Sequence, residues 1–285
     1  MKVRVCATLL FLSFAIHSGA TEACDPGEFF DRYTKPPADL SRWLEKANDG
    51  NALAQFHVAL AYHTGCEVAQ DYTQAADWYR KAAAHGNPGA QNNLAALYAR
   101  GLGVPQSDID AVRWYMRAAE QGHPAAENNL GFMYSRGRGV VQSDVTAVFW
   151  YRKAAAKGYA PAETNLGLMY SGGCGVPLDG KQAIKWYRAA AKTGFVPAEF
   201  GLGQLYFHGN AVRQDLPEAL KWFRKAAEHG SAAAQNQLGF AYEHGRGVRQ
   251  DYREAENWYR LAAANGSAEA QHNVAVIGDI SGGND

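Results

Sequence analysis

Two apolar stripes alternate along the chain. In the first, apolar side chains fall at i, i+4, i+7 and i+8, as in Ala54, Val58, Ala61 and Tyr62, and again in Ala126, Leu130, Met133 and Tyr134. That spacing places them on one face of an α-helix. The second stripe reads Ala-x-x-Trp followed by paired alanines, as in Ala75, Trp78, Ala82 and Ala83. A loop such as Gly137-Arg138-Gly139-Val140 separates the stripes, and glycine is the usual way to end a helix. Asp or Ser, as at Asp215 and Asp251, opens the second helix by accepting its free N–H groups, and Gly86 or a counterpart closes it. Pro88, Pro124, Pro161 and Pro197 lie where the next helix starts, where a missing N–H costs little.

The pair of helices recurs without a miss. Trp78, Trp114, Trp150, Trp186, Trp222 and Trp258 are spaced by 36 residues, as are Tyr62, Tyr98, Tyr134, Tyr170, Tyr206 and Tyr242. A fixed period in this range means a solenoid or an array. The expected architecture is all-α: a right-handed α/α superhelix of six complete 36-residue helix-turn-helix repeats with partial capping units. The repeats occupy 54–89, 90–125, 126–161, 162–197, 198–233 and 234–269. Position six of the first helix alternates between Ala59, Ala95 and Ala275 and Gly131, Gly167, Gly203 and Gly239, so another helix should pack closely there. The tryptophans are expected to anchor the second stripe in the core.

The ends depart from the repeat as capping units should. Residues 21–53 hold an N-terminal segment and a partial second helix ending at Gly50, which precedes Gly86 by one period. Residues 270–285 hold a lone first helix and a tail, Ser281–Asp285, expected to be disordered.

Composition narrows the function. The chain has 285 residues with 28 basic and 28 acidic side chains, without the basic excess expected of a nucleic-acid protein. Its 47% hydrophobic content excludes a disordered chain. Lys2 and Arg4, the apolar run Val5–Ile16 and the small residues Ser18-Gly19-Ala20 read as an export signal. Cleavage is expected after Ala20, with Ala23 as the alternative. Removing those two cations leaves a soluble mature chain of net charge −2. It is expected in the periplasm, otherwise secreted, and not inserted in a membrane.

The unit Ala-x-x-x-Leu-Gly-x-x-Tyr-x-x-Gly-x-Gly-Val…Asp…Ala-x-x-Trp-Tyr-x-x-Ala-Ala-x-x-Gly resembles the Sel-one-like repeat (SLR) family, related to tetratricopeptide repeats of period near 34. The resemblance covers residues 54–269. Glu67 in repeat one and Ala211 in repeat five replace the loop's second glycine. The resemblance implies a monomeric adaptor that binds a protein or peptide, in envelope assembly or signalling or as a host-directed secreted factor. Cysteine-rich bacterial members imply a rival, an envelope β-lactam-binding protein or hydrolase.

No catalytic motif supports that rival. His-Glu-x-x-His, Gly-x-Ser-x-Gly and the phosphate-binding Gly-x-x-x-x-Gly-Lys-Ser/Thr are all missing. Lys192-Thr193-Gly194 resembles one box of penicillin-recognising enzymes, but no Ser-x-x-Lys supplies a nucleophile. No cofactor or metal is expected, and scattered histidines such as His208 and His244 read as solvated helix ends.

Cys24, Cys66 and Cys174 follow the signal. Cys66 and Cys174 stand three periods apart, roughly 25–30 Å at helix packing distances, too far for a disulfide. Cys24 is the candidate partner of Cys66, which leaves Cys174 free or intermolecular.

Columns three, seven and ten of the first helix vary between repeats and share a face at i, i+4 and i+7. By resemblance to tetratricopeptide proteins this face lines the concave side. The partner-binding candidates are Phe56, Asn92, Asn128, Phe132, Leu168, Phe200, Gln204, Phe207, Asn236 and Phe240, with Phe200 and Phe207 foremost. The alternative is that the phenylalanines pack between repeats. The asparagines Asn93, Asn129, Asn165 and Asn273 recur too regularly to be selective and read as hydrogen bonds between repeats. Loop arginines Arg100, Arg136, Arg138, Arg246 and Arg249 read as a solvated edge.

Overall fold

The computed structural model of the chain describes residues 40–281. The export signal and its cleavage site, Cys24 and the tail from residue 282 lie outside the described residues. Among the described residues there are fourteen helices and no strand. A short helix α1 (Leu40–Asn48) leads. The first helices of the six repeats are α2 (Ala52–Thr64), α4 (Pro88–Arg100), α6 (Pro124–Arg136), α8 (Ala160–Gly172), α10 (Val196–His208) and α12 (Ala232–His244). The second helices are α3 (Tyr72–Ala84), α5 (Asp108–Glu120), α7 (Asp144–Ala155), α9 (Gly180–Ala191), α11 (Leu216–Glu228) and α13 (Tyr252–Ala264), and α14 (Ala268–Ser281) closes the series. The chain is an all-α helical repeat solenoid. Its contacts form two units, 40–162 and 163–281 among the described residues, and within each unit consecutive helices pack in pairs.

Local chemistry explains the helix bounds. Asp71 accepts from the N–H groups of Thr73 at 2.8 Å and Gln74 at 3.0 Å, and Asp251 does the same for α13; each such cap is worth about 1 kcal/mol. First helices end on a glycine in the left-handed region, such as Gly137 with φ 64°, a conformation most side chains avoid. The loop is then clipped back. Gln70, Gln106, Gln142, Gln214 and Gln250 each donate to a carbonyl seven residues earlier, at 2.7–3.3 Å. Repeat four has Leu178 in that place and leaves it 51% exposed.

The most deeply buried anchor is the residue after the tryptophan, although Trp78 and Trp150 are themselves buried. Tyr79, Tyr115, Tyr151, Tyr187, Phe223 and Tyr259 are all buried. Trp114, Trp186, Trp222 and Trp258 are only partly buried. The indoles sit at the rim under cations, Lys81 Nζ at 3.7 Å and Arg117 Cζ at 4.5 Å from their ring centroids, and snorkelling stems cover the rings. The glycine column meets this buried ring. A Cβ on Gly131 would stand 2.7 Å from Tyr151 Cε1, and one on Gly203 would collide with Phe223 Cδ1, which accounts for the close approach expected at position six.

A second glycine contact explains the odd loop of repeat five. Gly103, Gly139 and Gly247 press on the first residue of the preceding repeat's second helix: Tyr72, Asp108 and Leu216. Ala211 holds the corresponding loop place, and the residue facing it is Gly180, whose added Cβ would strike the Ala211 carbonyl oxygen. The glycine has moved to the other side of the contact. In repeat one, Glu67 takes the left-handed backbone itself, φ 64°, and its carboxylate accepts from the Leu40 N–H at 2.8 Å, fastening α1.

Candidate functional site

Three columns of the first helix carried the expected binding face, and two of them are spent largely inside the fold. In column ten, the tyrosine hydroxyls of the second helices find their partners. Tyr79 Oη lies 3.3 Å from His63 Nδ1, and Tyr259 donates to Glu243 at 2.6 Å. Ser135 and Ser171 bond Tyr151 and Tyr187, while their own hydroxyls donate to the Phe132 and Leu168 carbonyls at 2.9 Å. Burial pushes the Tyr151 hydroxyl up to about 12 and, with Arg100 nearby, pulls His63 down to about 4. Repeat five has no hydroxyl, because Phe223 replaces tyrosine there. Its column-ten residue is accordingly Phe207, with ring centroids 5.9 Å apart. Repeat two carries Ala99 and departs from the pattern.

Column three joins neighbouring repeats. Asn129 Nδ2 donates to Asn92 Oδ1 at 3.1 Å, and Asn273 Nδ2 to Asn236 Oδ1 at 3.0 Å. Asn93 Nδ2 reaches the Tyr79 hydroxyl at 3.1 Å. The regular asparagines therefore do join repeats, but their acceptors are residues expected to meet a partner. Phe56, Asn92, Asn128, Phe207 and Asn236 are all buried, which corrects their placement on an open groove: buried amides must be paired, and here each other's side chains pair them. Phe132, Leu168, Phe200, Gln204 and Phe240 remain half-buried on the face.

The residue after the starting alanine forms a polar column that sequence reading passed over. Gln55, Gln91 and Gln235 donate to the last turn of the preceding helix, at Ala47, Ala83 and Ala227. Glu127 and Glu199 cannot donate there. Both are fully buried and recruit a lysine instead, Lys157 at 2.6 Å for Glu127 and Lys225 at 2.9 Å for Glu199, which also meets the His229 imidazole at 2.8 Å. Gln91 takes a neutral partner in the matching place, Gln121 at 2.8 Å. The pairing residue stands thirty positions later each time, so the signal was present as a matched pair of columns.

In the unit 163–281 the half-buried aromatics gather two histidines and an arginine. Phe200 packs on Phe223 at 5.6 Å and Phe240 on Phe207 at 6.4 Å. His244 stacks on Phe240, centroids 4.3 Å apart at 28°. His208 meets Gln204 Oε1 at 2.7 Å, and Arg246 lies 4.7 Å over the Phe207 ring. Burial and then the Arg246 charge hold His208 below its ordinary pKa. Reading the two histidines as helix ends and Arg246 as a loop edge hid that they surround the aromatic cluster.

No group of His, Cys, Asp or Glu that could hold a metal is found among the described residues, and no described helix is long and apolar enough to cross a membrane. Among the described residues no cysteine is free. Cys66 and Cys174 are both disulfide-bonded, so Cys174 is not the free thiol that was one of its two expected states.

The repeat pattern described as the Sel1 repeat matches residues 52–87, 88–123, 124–159, 160–195, 196–231 and 232–267. Among solved structures, c5321, described as a protective antigen of uropathogenic Escherichia coli with an SLR fold, is 36% identical with a TM-score of 0.72. The alignment covers 85% of this chain and 52% of that one, so this chain spans about half the antigen's length. A Sel1 repeat protein from Oxalobacter formigenes is 36% identical, TM-score 0.68, over 79% of this chain and 86% of that one. Immunity protein Pa5087 from Pseudomonas aeruginosa, 22% identical with a TM-score of 0.51, covers 81% of this chain and 84% of its own and shares the fold. No curated protein matches the chain.

Proposed function

Because the chain belongs to the Sel1 repeat family, whose repeats mediate protein–protein interaction, we propose that it is an exported scaffold that binds a protein or peptide along the face formed by its first helices. No catalytic family is indicated. The observation that carries the reading is the half-buried aromatic cluster of Phe200 and Phe240. Phe240 stands in column seven, which neither the hydroxyl pairing nor the asparagine links use, and Phe200 takes a column-three place that carries no asparagine in repeat five. A face built on rigid helices loses little conformational entropy on binding. Export rests on residues 2–20, with their basic start, apolar run and small residues, and places the partner in the periplasm or outside the cell.

The test is affinity capture from envelope extract with the mature chain beside Phe200→Glu/Phe240→Glu, using circular dichroism to confirm that the variant folds. The expected result is one protein retained by wild type and lost by the folded variant. Equal retention by both would move the site off this face, and no specific retention would count against the scaffold reading.

A further inference from the structure

The same face carries a charge asymmetry that specifies its ligand. One permanent cation and two imidazoles ring the aromatic cluster: Arg246 over Phe207, His208 beside Gln204 and His244 on Phe240. Among the described residues Arg246 makes no ion pair; its near neighbour is the Phe207 ring. The acid of this cluster is Glu243, which is engaged by the Tyr259 hydroxyl at 2.6 Å and lies 3.9 Å from His244 Nδ1. The Glu199 carboxylate in α10 is turned inward, fully buried against Lys225 and His229. A chain with equal numbers of acids and bases thus leaves bases beside exposed aromatic surface in repeats five and six. Such a site attracts carboxylates in the approach and holds apolar groups once they arrive.

Resting on the scaffold reading, we propose that Phe200, Gln204, His208, Phe240, His244 and Arg246 receive an acidic peptide segment carrying apolar side chains. The aromatic rings take the apolar side chains. Arg246 meets the carboxylates, the two imidazoles offer ring nitrogens for hydrogen bonds, and the Gln204 amide is placed to bond the peptide backbone.

The experiment uses the full mature chain and a short fluorescein-labelled peptide alternating Glu with Phe, beside the same peptide with Lys for Glu, read by fluorescence polarisation. The acidic peptide binds roughly tenfold tighter than its basic counterpart, and the difference shrinks with salt. Arg246→Glu weakens the acidic peptide by about tenfold or more and narrows the preference, and Phe240→Ala weakens both peptides. Arg113→Glu, the same charge change on an exposed residue of α5, leaves binding unchanged. Circular dichroism confirms that each variant folds. Equal affinity for both peptides, indifference to Arg246→Glu, or binding only after deletion of residues 21–33 overturns the proposal. The last outcome would make the chain's own acidic segment, with Glu22, Asp25, Glu28 and Asp31, the occupant. An envelope partner that is captured through this face but competes with neither peptide leaves the scaffold reading standing and removes this one.

Discussion

Phe223→Tyr adds a hydroxyl where its repeat offers no acceptor. The phenyl ring of Phe223 is fully buried, and the column that supplies His63, Ser135, Ser171 and Glu243 to other tyrosines supplies Phe207 here. The hydroxyl cannot swing away, because the ring already lies against Gly203. A buried hydroxyl left unpaired costs about 1–3 kcal/mol. Phe207→Ser alone removes a buried ring that touches Phe223 and Phe240, at a cost of about 3–5 kcal/mol. The double variant restores the Ser–Tyr pair of repeats three and four. It should therefore be less destabilised than the two singles combined by about 2 kcal/mol, one unpaired hydroxyl avoided and one hydrogen bond made. Urea unfolding of the four proteins gives this coupling, provided the m-values agree. Because a repeat array need not unfold in one step, amide exchange in α10 and α11 should report the same sign locally. Additivity within about 0.5 kcal/mol would refute the pairing rule and return Phe207 to the list of partner contacts.

Three further predictions follow from the same contacts. His63 is held down to about 4 in the fold by burial and then by Arg100, so the unfolded chain takes up the proton first. Its contribution is complete above about pH 6.5 and is lost as pH falls toward 4, up to ~3 kcal/mol. His63→Ser should flatten urea stability across that window, leaving the shallower slopes of His57 and His208, which are lowered in the same direction; an unchanged slope would refute it. Gly180→Ala should lower the unfolding free energy by about 1–3 kcal/mol through overpacking against Ala211, although alanine favours a helix by about 1 kcal/mol; a stabilised variant would show that the contact yields. Lys157→Ala should cost about 2–3 kcal/mol by leaving Glu127 buried with Lys153 at 3.8 Å. That is less than a fully buried pair would lose, since Lys157 is 38% exposed. In a Glu127→Gln background the same change should cost under about 1 kcal/mol, and equal costs in both backgrounds would deny the ion pair its role.

Much of the fold was legible because the period is fixed and every repeat spells both helices. The capping aspartates and closing glycines put the ends within two or three residues, and the alternation at position six correctly implied a close neighbour. The tryptophan column misled. The largest apolar residue was taken as the core anchor, yet the indole is buried only at Trp78 and Trp150 and partly exposed in the other four repeats, while the next residue is buried in all six. One residue along a helix is a rotation of about 100°, and the stripe is broad enough to hold either. The candidate site was read less well for a different reason. Columns three and ten were taken one at a time, and variation in a single column looks like selectivity. The explaining residue sits sixteen positions away in the second helix, or thirty-seven away in the next repeat, and each column becomes regular only when read with its partner.

That separation decides which variation in this chain bears on binding. Phe207 accompanies the loss of a hydroxyl at Phe223, Gly180 accompanies the loss of a loop glycine at Ala211, and Glu127 accompanies Lys157 where Gln91 accompanies Gln121. Each looks exceptional along its own column and ordinary once its contact is named. Compensated positions hold the solenoid together and place little constraint on a ligand. Phe200, Gln204 and Phe240 are only partly accounted for: Phe200 and Phe240 pack on Phe223 and Phe207 and Gln204 meets His208, yet all three stay half-exposed. Exposed aromatic surface costs solubility without aiding the fold, so a partner is the physical reason for keeping it. Under the proposal above, Arg246, which makes no ion pair among the described residues, sets the charge that partner should carry.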